Sequence, residues 1–173
     1  MAHGLEVFAL TGRLLAALIL LRSGLAKLRD PAGFEAALGA YRLLPDAVVA
    51  PLSRSLPWLE LTLAPCLFVP LAAGVGEAAS AALFVAFAVA MAVSLLRGLR
   101  DIDCGCGGVR QPLSWRLVAQ NLGIACGLVC AAIIPAPFVM AGLGVAVAAA
   151  AGLFLALAAA ESLAAASPRK LTA

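Results

Sequence analysis

Charge is scarce in this chain: 12% of its residues are Asp, Glu, Lys or Arg, where a soluble domain carries about 25%. With 64% apolar residues and a mean hydropathy of +1.08, a fold of 173 residues cannot hide its apolar surface in a water-soluble core. A soluble globular domain is therefore excluded, and lipid is the solvent for much of the surface. Aromatic residues are also few, at 6%, and no basic stripe interleaves with them, which argues against a nucleic-acid partner. The net charge is only +3, and arginine supplies ten of the twelve basic residues, so charge here reports on orientation in a bilayer. A cleaved signal peptide is not expected, because Arg13 and Arg22 interrupt the first apolar stretch and no small-residue cleavage pattern precedes Lys27.

Long apolar runs are what the chain does have. A helix needs about 20 residues to cross a hydrocarbon layer about 30 Å thick, and five segments qualify: 5–25, 57–73, 78–96, 115–134 and 138–160. They predict an all-α fold in a single membrane domain over 1–173. Its architecture is a polytopic transmembrane helix bundle, a four-helix core plus a fifth C-terminal span. After the first span, Asp30-Pro31 reads as a helix N-cap with proline at the first helical position. Phe34, Leu38 and Tyr41 then recur at helical spacing, so a short interfacial amphipathic helix is expected. Residues 47–56 are interrupted by Pro51, Ser53, Arg54 and Ser55 and are placed at the membrane surface. Residues 74–77 are expected to form a turn, and Pro135 and Pro137 to break the chain before the last span. Gly123 and Gly127 form a GxxxG pair that predicts a close-packing face on the fourth span.

Lys27, Arg29, Arg42, Arg54, Arg97, Arg100, Arg110, Arg116, Arg169 and Lys170 all fall on one face of a five-span topology, and the two opposite turns carry no basic residue. Charge counting thus puts the N-terminus outside a bacterial cytoplasmic membrane, with the C-terminus and the 97–114 loop inside.

That loop carries the chemistry. Cys104 and Cys106 are separated by one glycine, and two thiols so spaced close only a small, constrained ring, the kind of disulfide that is oxidising and exchangeable. Gly105, Gly107 and Gly108 supply backbone freedom and close access to the sulfurs. Arg97, Arg100 and Arg110 would favour thiolate, whereas Asp101 and Asp103 oppose it, so the direction of any thiol pKa shift stays open. The alternatives are a flexible glycine loop with incidental thiols, or half of a soft-metal shell; the sole histidine, His3, is distant in sequence and no metal site is assigned.

Cys126 and Cys130 share one face of the fourth span, and Cys66 lies at a depth similar to that of Cys126. These three are secondary redox or ligand candidates, a possible thiol ladder into the membrane, against the plainer reading that they are small apolar core residues. Among ionisable groups inside spans, Glu60 stands out, with Arg22 as its expected partner; Arg13 has no evident one.

The stretch RSGLAKLRDPAGFEAALGAYRLLP (22–45), the LPWLEL around Glu60 and the DCGCGG of the loop (103–108) together resemble the MauE family of methylamine-utilisation proteins, related to DoxX-like membrane proteins. The resemblance covers roughly the first four spans. Gly107 departs from a common form of the loop that has an aromatic residue there. The resemblance implies an inner-membrane protein that works with a thioredoxin-like partner in making or shuffling disulfides, as in maturation of a periplasmic dehydrogenase. It makes Cys104 and Cys106 the redox pair, with Lys27, Tyr41 and Glu60 at matching helix and loop positions. A periplasmic partner would want the loop outside, which disagrees with the charge count.

Three functional readings follow: thiol-disulfide exchange, with a quinone as acceptor only by analogy with other membrane disulfide enzymes; a carrier of a soft metal or sulfur compound; and a non-catalytic scaffold of a redox complex.

Overall fold

The computed structural model describes residues 2–69, 74–106, 111–134 and 140–166. Six helices make up the described chain: α1 (Ala2–Arg29), α2 (Pro31–Ala40), α3 (Asp46–Cys66), α4 (Val75–Leu96), α5 (Trp115–Ala132) and α6 (Met140–Ala166). The expected features at 70–73, 135–139, Gly107, Gly108, Arg110, Arg169 and Lys170, and the side chain of His3, lie outside the described residues.

Helix α1 stops where its sequence says it must. Pro31 disfavours a helical residue before it, and Asp30 sits at φ −133° while its carboxylate accepts from the Gly33 N–H at 2.9 Å, capping α2. The interfacial helix is thus α2, which buries Phe34 and Ala37, with Tyr41 buried at its C-terminal end.

Four described helices are long and apolar enough to cross a membrane: Gly4–Arg29, Val75–Leu96, Trp115–Ala132 and Gly142–Ala160. The segment expected at 57–73 is found as α3, which begins at Asp46 and ends at Cys66. It falls short of the apolarity of the other four because it contains Arg54, Glu60 and three prolines, Pro51, Pro57 and Pro65. Residues 47–56, expected at the surface, are continuous helix. Their buried stripe runs on through Val49, Ser53, Leu56, Glu60, Leu63 and Ala64, the spacing of one helix face. Helix α3 runs antiparallel to α1. A Cβ at Gly24 would stand 3.0 Å from the Pro57 carbonyl and from Leu61, so the two helices approach as closely as glycine permits there.

The inner core joins Ala16, Ala17 and Leu20 of α1 to Leu63 and Ala64 of α3, Ala81 and Phe84 of α4, and Ala125 and Leu128 of α5. Helix α6 packs along α1 through buried Ala146 and Ala150 and is otherwise the least buried of the long helices. This is the four-helix core plus a fifth C-terminal helix that the apolar runs predict. Among the described residues a Cβ added at Gly123 or Gly127 would meet nothing within 4 Å, so the close contact expected of that pair is not made there, although the Gly127 carbonyl lies 4.0 Å from where a Cβ on Gly12 of α1 would stand.

Among the described residues, two buried ion pairs tie the helices at different levels. Arg13, without an evident partner in the sequence, donates from Nε to Glu77 Oε1 at 2.8 Å and from Nη2 to the Ala131 carbonyl at 2.7 Å. Glu77 Oε2 in turn accepts from the Gly74 N–H at 2.9 Å. One arginine therefore gathers α1, the start of α4 and the end of α5. The residues expected to form only a turn, 74–77, are a helix start whose glutamate at the third position reaches back to the cap. The second ion pair belongs to the site.

Candidate functional site

The two described arms of the loop between α4 and α5, 97–106 and 111–114, are pinned to each other. Cys104 N–H donates to the Gln111 carbonyl at 2.9 Å and Leu113 N–H to the Ile102 carbonyl at 3.2 Å, flanking a single antiparallel bridge between Asp103 and Pro112. Asp103 Oδ1 accepts from the backbone N–H of both Gly105 and Gln111, each at 3.3 Å. The carboxylate therefore shapes the turn. Gly105 has φ +68°, and a Cβ on it would lie 3.2 Å from the Phe34 ring. Glycine is required here both by the backbone conformation and by the pressing of α2 against the loop.

From the α2 side, Tyr41 donates its hydroxyl to the Cys104 carbonyl at 2.8 Å. Burial, and then the negative charges available at Cys106, Cys104 and Asp103, push the Tyr41 phenol pKa up, so it remains a hydrogen-bond donor.

The two sulfurs differ in access. Cys104 is 8% exposed, whereas Cys106 is half-buried. Cys106 N–H donates to Cys104 Sγ at 3.1 Å, and Cys106 Sγ lies 3.8 Å from the Cys104 carbonyl oxygen. The Cys104 thiol pKa is pushed up, by hydrogen bonding with Cys106 first, then by burial and by the Cys106 and Asp103 charges. The direction that the sequence left open is thus upward for Cys104. Arg97, expected to favour thiolate, is not among the causes of this shift; its Nη1 donates to the Arg42 carbonyl at 3.0 Å.

Beneath the loop lies the second ion pair. Lys27 Nζ donates to Glu60 Oε1 and Oε2 at 2.6 and 2.8 Å and to Ser23 Oγ, and Ser23 donates to Glu60 Oε1 at 3.0 Å. Glu60 is fully buried. The expected Arg22–Glu60 pair is corrected by this geometry: Glu60 is held by Lys27 and Ser23. The helical repeat explains why. Ser23 and Lys27 share the stripe of α1 that faces α3, whereas Arg22 is rotated by about 100° toward α6, where it lies 5.9 Å from the Phe154 ring centroid. The Lys27 ammonium also stands 5.1 Å from the Phe34 centroid and 5.3 Å from that of Phe87. Phe34 thus touches the cysteine loop on one side and the buried cation on the other.

A cavity of about 500 Å³ connects these groups. Cys104, Gly105, Cys106, Tyr41, Lys27, Glu60 and Arg22 all line it, while Cys66, Cys126 and Cys130 do not. Cys126 and Cys130 are on the exposed side of α5, and Cys66 closes the C-terminal end of α3. The thiol ladder is therefore not assembled at this site. Sequence reasoning missed Ser23, Phe34 as a bridging ring, Gln111 and Gln120. Only Ser23 left a signal, four residues before a lysine within an apolar helix.

Fold and site together define a multi-pass helical membrane protein with a two-cysteine turn over a buried ion pair. The family described as methylamine utilisation protein MauE matches residues 5–134, and the chain belongs to that family. Relatives of that name include those of Methylophilus methylotrophus, 42% identical over 61% of this chain and 55% of that protein, and Paracoccus denitrificans, 39% identical over 64% and 60%. The Methylorubrum extorquens protein is 38% identical over 62% and 59%. The chain thus spans somewhat under two thirds of the length of these relatives. No solved structure matches it.

Proposed function

We propose that this protein is a membrane thiol-disulfide redox protein of methylamine utilisation, exchanging disulfides with a thioredoxin-like partner during protein maturation. The observation that carries the reading is the asymmetric pair: one cysteine buried, one less so, both held where α2 meets the loop. In the oxidative direction for the loop, the Cys106 thiolate attacks one sulfur of the partner's disulfide and displaces the other as a thiolate. Cys104 then loses its proton and attacks Cys106 Sγ, releasing the partner's second thiol. The loop gives up two electrons and the partner gains them. The reverse sequence oxidises the partner. We place the protein in the bacterial cytoplasmic membrane, with the loop on the cytoplasmic face by its arginines.

The test is trapping with a thiol-alkylating mass label. Wild type is expected to show a reversible loop disulfide. Cys104→Ser is expected to accumulate a mixed disulfide through Cys106, because the resolving sulfur is gone, whereas Cys106→Ser traps none. Loop thiols that stay reduced under oxidant, with serine replacement leaving maturation intact, would overturn the proposal.

A further inference from the structure

The cavity is lined largely by apolar side chains. Its walls are mainly leucine and phenylalanine from α1, α3 and α4, with Phe154 and Leu157 of α6 completing them. Its rim includes Leu43, Leu44 and Leu59, which are 38, 37 and 45% exposed, so an apolar molecule enters through an apolar mouth. The volume suits a small ring with the beginning of a tail. The lining includes the sulfur pair and, among other polar groups, Lys27 and Glu60 as an ion pair and Gln120, whose Oε1 is buried without a hydrogen-bond partner. A buried acceptor left unmade costs about 1–3 kcal/mol, and a ligand hydroxyl would satisfy it.

We infer that the cavity is a binding site for a membrane-borne quinone that takes electrons from Cys104 and Cys106, an inference that rests on the exchange reading above. A quinone meets each demand separately: an apolar body, a carbonyl in its oxidised form, a hydroxyl in its reduced form, and a two-electron, two-proton capacity equal to that of a dithiol. In the step, the two S–H bonds break and one S–S bond forms. The electron pair passes into the ring, and the two protons end on its two oxygens, so that dithiol plus quinone becomes disulfide plus hydroquinone. The disulfide then returns to the dithiol by oxidising the thioredoxin-like partner.

The experiment uses the full chain in lipid nanodiscs free of quinone, with a decyl-tailed benzoquinone as probe. Binding is read first on Cys104→Ser/Cys106→Ser protein, where no electrons move. Saturable, equimolar binding is expected, weakened at least about tenfold by Ala90→Trp, which fills the cavity from α4, and also weakened by Gln120→Leu, which removes the orphaned amide. The reduced wild type is then mixed with the probe without oxygen, and equimolar hydroquinone with a loop disulfide is expected. Unsaturable uptake, or binding indifferent to both substitutions, means that only an acyl chain or lipid partitioning fills the space and overturns the inference. A pair that glutathione disulfide oxidises but the quinone does not overturns this inference alone. A pair inert to both overturns the exchange reading with it.

Discussion

At the residue scale, the two cysteines are chemically unequal although the sequence presents them as a symmetrical pair. The neutral thiol of Cys104 is the favoured form in the folded protein, since its pKa is raised by its hydrogen bond with Cys106 and by burial. Its contribution to stability is fully present below the ordinary thiol value near 9.0 and is lost as pH rises beyond it. Thermal stability of the reduced protein is therefore expected to fall above about pH 9, and Cys104→Ala to flatten that fall. Alkylation of Cys104 near neutral pH is expected to be slow in the folded protein and fast after denaturation. Tyr41→Phe removes only the hydroxyl that holds the Cys104 carbonyl. It is expected to cost about 1 kcal/mol and to speed that alkylation, read by mass spectrometry.

Between elements, the Lys27–Glu60 pair joins α1 to α3 where both are buried. Removing one partner leaves an uncompensated charge, which costs about 3–5 kcal/mol, whereas removing both costs much less. Lys27→Met is accordingly expected to lower the thermal midpoint strongly, and Lys27→Met/Glu60→Leu to recover most of the loss, a coupling that a double-mutant cycle measures directly. Additive losses would sink the assignment of these two residues as partners. The same interface explains what was legible beforehand. Helices α1, α4, α5 and α6 were readable because a predominantly apolar run of their length is stable in lipid as a helix. Helix α3 was misplaced because its buried stripe contains Ser53 and Glu60 and its course contains Pro51 and Pro57, so its polarity looks like surface until α1 and α2 supply the partners. Ser53, for one, lies 3.4 Å from Glu35 of α2. The loop chemistry was legible in Cys104, Gly105 and Cys106, but the pairing of Glu60 depends on which stripe of α1 faces α3, and spacing along one chain does not fix that.

For the whole molecule, both ends of the bundle are distinct. Arg29, Arg42, Arg97 and Arg116 flank the helix ends that surround the cysteine turn, and the described far end is closed by the Arg13–Glu77 pair. If arginine placement sets orientation, a membrane-impermeant maleimide is expected to label Cys106 in inverted vesicles and not in spheroplasts. The opposite pattern would show that the cysteine loop faces the periplasm. Helix α6 adds a further consequence. It lies beyond residues 5–134, which the family match covers, yet it lends Phe154 and Leu157 to the cavity wall and is fastened near its end by Arg116 to the Ala160 carbonyl at 3.4 Å. A panel of the chamber is thus carried by the least embedded of the long helices, so sequence drift in that segment would reshape the chamber while the sulfur turn and its frame stay as they are.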